Sequence, residues 1–174
     1  VSYILSKLAS PRQSLFFSAT VSEKVRSGMR GFLFNPVTIS IKATSPSANV
    51  DQDIVRLNGR LKLDVLHELL TKEEFKKVLV FGRTKWGIEK LSYALSDRGF
   101  RVASIHGNKN QNQRQRALED FKANYVQVLL ATDVASRGID IDNVSHVINF
   151  DQPESYEDYI HRIGRTGRMD KKGV

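Results

Sequence analysis

Cysteine is absent from this chain of 174 residues. That excludes disulfides and every thiolate metal site, and it fits a cytoplasmic protein, or a nuclear or nucleolar one in a eukaryote. No apolar run reaches the ~20 residues that a membrane-spanning helix needs. The first residues also lack the zones of a secretory leader, so no membrane partner is expected. The four histidines, His67, His106, His146 and His161, are scattered without ligand spacing, and no metal site is expected on this chain. Acidic residues are in deficit, 19 against 27 lysines and arginines, for a net charge of +8 that favours an anionic partner such as nucleic acid. Hydrophobic residues are not scarce. At 40% they suffice for a packed core and exclude a largely disordered chain.

Short apolar runs alternate with longer amphipathic ones. Candidate strands cover residues 14–17, 77–81, 102–105, 126–131 and 146–150, rich in β-branched and aromatic side chains and without polar alternation, as in strands covered on both faces. Candidate helices cover residues 62–70, 87–96, 111–122 and 156–163. In the last, Tyr156, Tyr159, Ile160 and Ile163 share a face, and Ser155 with Asp158 resembles a capping box. The alternation predicts an α/β fold, a doubly wound parallel sheet with helices on both faces. A Ser-, Pro- and Ala-rich stretch at 43–49 reads as part of an exposed linker. It separates a short N-terminal piece, residues 1–34, from an α/β unit that starts near Val50.

Polar and glycine-containing turns follow four of the strands: Gly82–Lys85, His106–Asn108, Thr132–Asp133 and Asp151–Pro153. Ligands of open α/β sheets bind at that carboxyl edge. Gly82-Arg83-Thr84-Lys85-Trp86-Gly87 has two glycines of a phosphate loop, but Ile88 and Glu89 stand where Lys and Ser or Thr are required. The nucleotide-cradling loop is therefore missing. Thr84, Lys85 and the amides of the helix start remain suited to a nucleic-acid phosphate, or form a plain strand–helix turn. Arg114 and Arg116 stand near the start of the next helix, where they meet an anion or are merely solvated. Asp140 is suited to ribose hydroxyls and Thr132 to a phosphate oxygen, although Arg137 and Asp140 are equally suited to local ion pairs. Densest of all is His161-Arg162-Ile163-Gly164-Arg165-Thr166-Gly167-Arg168, whose forked guanidinium groups match phosphate oxygens and whose glycines permit close approach.

Three motifs in order resemble the second RecA-like domain of DEAD-box ATP-dependent RNA helicases: His106-Gly107 with Gln111 and Arg114, Ala131 through Asp140, and His161 through Arg168. Phe16-Phe17-Ser18-Ala19-Thr20 is similar to the Ser-Ala-Thr motif that closes the family's first RecA-like domain. The resemblance implies that residues 1–34 are the end of that first domain, 35–49 the linker, and 50–174 a second domain truncated at its end. It implies that Arg165 and Arg168 are arginine fingers on the γ-phosphate of ATP, and that His161 and Arg162 link the two domains. Gly138 and Asp140 would lie on the ATP, with Asp140 on its ribose. Thr84, Lys85, Gly107, Arg114 and Thr132 would follow the RNA sugar–phosphate backbone. Ser18, Ala19 and Thr20 would couple hydrolysis to strand separation.

ATP with Mg2+ would be held mainly by the first domain of the same parent chain, whose phosphate loop and Asp-Glu-Ala-Asp box this sequence lacks. The implied parent is a monomeric RNA-dependent ATPase and helicase, and this chain alone is expected to be inactive. An RNA clamp or assembly scaffold, and a related DNA helicase, are the alternatives.

Overall fold

A computed structural model describes residues 2–18, 23–33, 35–40, 50–136, 141 and 144–166. The chain divides into two units, Val1–Lys42 and Ala43–Val174. Among its described residues, the first holds two helices, α1 (Ser2–Leu5) and α2 (Glu23–Arg30). The strand expected at 14–17 is not formed. Leu15 and Phe17 are 71% and 87% exposed, and no strand partner for their amides and carbonyls occurs among the described residues of this unit. A β-strand is stabilised by its neighbour's hydrogen bonds, so apolar content alone does not produce one.

The second unit contains α3 (Lys62–Leu70), β1 (Val78–Phe81), α4 (Lys85–Asp97), β2 (Val102–Ile105), α5 (Gln111–Lys122), β3 (Val128–Ala131), α6 (Asp133–Ser136), β4 (His146–Asn149) and α7 (Tyr156–Ile163). The strands form one parallel sheet in the order β2-β3-β1-β4. This is the expected doubly wound α/β architecture, a parallel sheet with helices on both faces. The four strands match expectation to within two residues at each end.

Alternation along the strands divides the core between two faces. Val78, Val80, Val128 and Leu130 pack with Leu66 and Leu70 of α3 and Ile88, Leu91 and Leu95 of α4. Leu79, Phe81, Leu129 and Ala131 pack on the other face with Ala117 and Phe121 of α5 and Ala135 of α6. All the residues of β1 and β3 are buried, as their unbroken apolar sequences require.

The caps fix where the helices start. Helix α4 begins two residues before the expected start because Thr84 Oγ1 accepts from the Gly87 amide at 3.0 Å. Glycine at 87 suits that cap, since a Cβ there would lie 2.9 Å from Thr84 Oγ1. Helix α5 opens on a complete capping box between Asn110 and Gln113, unforeseen in sequence. At α7, Ser155 Oγ accepts from the Asp158 amide as expected, but the Asp158 carboxylate accepts from the Ser155 hydroxyl.

Candidate nucleotide and nucleic-acid interface

Register brings the polar turns to one edge. Phe81 is level with Ala131 and Asn149, and Ala131 with Ile105. Gly82, His106, Thr132 and Phe150 therefore leave the sheet side by side.

The first turn is braced by Asp151. Its Oδ2 accepts from the Arg83 amide at 3.0 Å and its Oδ1 pairs with Lys62 Nζ at 3.3 Å. Burial pushes the Asp151 carboxyl up, but the Arg83 amide and the Lys62 ammonium outweigh it and hold the group below its ordinary value. Gly82 is squeezed at this point, since a Cβ would come within 2.7 Å of Ile88 Cδ1. Thr84 and Lys85 follow on the exposed rim. Lys85 Nζ donates to Asn108 Oδ1 at 2.9 Å, joining the first turn to the second.

Beneath the second turn lies a carboxylate that the sequence did not single out. Glu89, on α4, accepts at Oε2 from Ser104 Oγ at 2.9 Å and from His106 Nε2 at 2.8 Å, and at Oε1 from Lys109 Nζ at 2.9 Å. His106 Nδ1 accepts from the Asn108 amide at 3.3 Å, so the ring proton sits on Nε2 and points at Glu89. Desolvation raises the Glu89 carboxyl, yet its three donors prevail and lower it to about 2. The network holds the His106–Asn108 turn and leaves Gly107 exposed, with open space where a Cβ would stand.

The third turn carries Thr132, 9% exposed, and the short helix α6. Half-buried Arg114 crosses from α5, its Nη2 donating to the Ala135 carbonyl at 3.1 Å. It thereby ties the second turn's helix to the third turn.

Among the described residues, Arg162 is the most deeply placed charge. It is 1% exposed, and its guanidinium grips Asp133 with Nε and Nη2 at 2.6 and 2.8 Å. Its Nη1 donates to Asn149 Oδ1 at 2.9 Å and to the Asp151 carbonyl at 2.7 Å, and the group stands 5.1 Å from the Phe81 ring centroid. One side chain of α7 thus locks onto the ends of β1 and β4 and onto α6. Thr166 adds a second tether, Oγ1 to the Val144 carbonyl at 2.8 Å. Half-buried Arg165 lies between these anchors. Gly164 has φ −66°, so the freedom of glycine is not used there. His161 Nδ1 is enclosed without a hydrogen-bond partner among the described residues.

The structure brings Thr84, Lys85, Gly107, Arg114, Thr132, His161, Arg162 and Arg165 to the second unit's carboxyl edge or the helix leading from it. Ser18 belongs to the first unit. Ala19, Thr20, Gly138, Asp140 and Arg168 lie outside the described residues. Among the described residues no cluster of three or more His, Cys, Asp or Glu could hold a metal, and no helix is long and apolar enough to cross a membrane.

Residues 61–170 match the helicase conserved C-terminal domain. The sequence is 43% identical over 172 residues to the ATP-dependent RNA helicase CshA of Listeria monocytogenes, covering 98% of this chain and 33% of the relative. It is 41% identical to the DEAD-box ATP-dependent RNA helicase CshA of Geobacillus kaustophilus, covering 98% of this chain and 37% of that one. The chain spans about a third of the length of these curated relatives. Among solved structures, it is similar to S. cerevisiae Dbp5 bound to RNA and ADP BeF3, with TM-score 0.79 and 32% identity over 98% of this chain and 46% of that one. It also resembles the E. coli DEAD-box protein SrmB bound to RraA, with TM-score 0.62 and 42% identity over 64% of this chain and 66% of that one.

Proposed function

Because the chain belongs to the DEAD-box family of helicases, through the conserved helicase C-terminal domain, we propose that it supplies half of an ATP-dependent RNA-unwinding site. The other half is a first RecA-like domain in the same monomeric parent chain. Residues 1–34 are the end of that domain and 35–49 the linker, a reading supported by the division of the chain after Lys42. ATP and Mg2+ sit on the first domain. Arg165 and Arg168 reach them across the cleft and stabilise the charge that develops on the γ-phosphate during transfer. Gly138 and Asp140 contribute on the ribose side.

The observation that carries this reading is the Arg162 clamp. A guanidinium buried to 1% and satisfied by Asp133, Asn149 and the Asp151 carbonyl is a positioning residue, and it sets the α7 end rigidly over the carboxyl edge. Arg165 follows three residues later, with its amide bonded to the Arg162 carbonyl at 3.2 Å. Fixed donors aimed at a developing charge need no reorganisation as the reaction proceeds. His161, with its enclosed and unsatisfied Nδ1, is the residue through which the first domain is contacted.

RNA runs along Thr84, Lys85, Gly107, Arg114 and Thr132, with Ser18, Ala19 and Thr20 completing the coupling from the first domain. Contacts of this kind read backbone rather than sequence. The RNA-bound state of a similar structure supports RNA over DNA. In the full-length parent, Arg165→Ala should lower the RNA-stimulated ATPase by roughly 10³-fold or more, as loss of an arginine finger does elsewhere. Normal ATPase in that variant would refute the assignment, and ATP turnover by the 174-residue chain alone would refute the half-site reading.

A further inference from the structure

The residue after Lys85 is absorbed by none of these roles. Trp86 is the chain's single tryptophan, sits in the first turn of α4, and is 71% exposed. An indole is seldom left so open, since its large apolar face gains by being covered. Lys85 Nζ stands 5.7 Å from its ring centroid, within cation–π range. Trp86 borders an open concavity of about 190 Å³, lined also by Lys85, Asn108, Lys109 and Gln113 and floored by the Glu89–His106 pair.

Three features of this concavity select its occupant. Its walls carry cationic and amide side chains beside the indole. Lys109 is matched by Glu89 at 2.9 Å, whereas Lys85 meets the neutral Asn108 amide and the Trp86 ring but no carboxylate among the described residues, so its charge is available to an anion. The hollow is open to solvent on one side, which gives a planar group access to the aromatic ring. It also adjoins Thr84 and Gly107, where the strand's backbone is placed above.

We propose that Trp86 is a stacking platform for a nucleobase of single-stranded RNA, with Lys85 taking the adjoining phosphate. This rests on the RNA reading of the carboxyl edge and deepens it, by giving that edge a contact to a base as well as to the backbone. Stacking tolerates any base, because each has a π face, and it distinguishes an unpaired strand from a duplex whose bases are already stacked.

The single tryptophan makes the test direct, because all indole emission comes from Trp86. The 174-residue chain is titrated with an end-labelled single-stranded oligouridylate and with an abasic ribose–phosphate oligomer of equal length. Label anisotropy reports binding and indole emission reports stacking. Both oligomers should bind, and only the oligouridylate should quench Trp86. Trp86→Ala should weaken oligouridylate binding about tenfold and leave the abasic oligomer unchanged, while Trp86→Phe should retain most of the affinity.

If both oligomers bind equally, without quenching and without an effect of Trp86→Ala, the platform is wrong and the backbone reading stands. If neither binds, the RNA reading of this edge fails and takes the platform with it.

Discussion

Arg162 and Asp133 face each other as a two-pronged pair, Nε to Oδ1 at 2.6 Å and Nη2 to Oδ2 at 2.8 Å, in a site where the arginine is almost wholly removed from water. Such a pair is costly to break from one side, because the surviving charge stays buried without its partner. Asp133→Ala, which strands the buried guanidinium, should therefore destabilise the second unit by about 3–5 kcal/mol, read as a lowered urea midpoint. A loss below about 1 kcal/mol, the scale of an exposed ion pair, would mean that the clamp contributes little to the fold.

Glu89 makes stability depend on acid. Its folded value of about 2 lies below the unfolded 4.5, so the contribution is fully present above 4.5 and is lost as pH falls through the folded value. At neutral pH this difference amounts to about 3 kcal/mol. Glu89→Gln should lose most of that at pH 7, and wild type and variant should converge as the pH falls from 5 towards 2. Urea titrations at several pH values check it. A gap that does not narrow in acid would show that packing, not ionisation, sets the cost. His146, held low chiefly by burial among its neighbours, adds acid sensitivity that begins higher and is common to both proteins.

Gly107 separates fold from function. A methyl group there meets nothing within 4 Å, and the backbone is not in the left-handed region. Gly107→Ala should change stability by less than about 0.5 kcal/mol. On the proposed RNA path it should nevertheless weaken RNA binding several-fold, because the Cβ would occupy the space assigned to a ribose–phosphate backbone. Unchanged affinity in an anisotropy titration would remove Gly107 from the RNA path.

The sheet was legible because β1 and β3 are continuous apolar runs between amphipathic stretches, and that pattern is local. The failed strand at 14–17 shares the composition but has no partner among the described residues, and pairing is not written in a single segment. Arg162 was legible as a charge in a basic motif but not as a buried one. Its burial depends on Asp133, Asn149 and Asp151, which arrive from two other turns. Glu89 was hidden more thoroughly. Four residues after Lys85 on a helix it looks like half of a surface ion pair, and only the packing of α4 over β2 turns it towards Ser104 and His106. The Asn110–Gln113 box was open to view in the sequence, being the ordinary spacing with Asn and Gln as its members.

The two tethers of α7, Arg162 to the strand ends and Thr166 to the Val144 carbonyl, have a kinetic consequence. They leave the backbone at Arg165 little room for the nanosecond excursions that a loop would make. In the proposed half-site, its approach to a phosphate would then be timed by slower collective motions, on the order of microseconds to milliseconds. The rotational entropy of that segment is surrendered once, when the protein folds, and need not be lost again when a ligand binds.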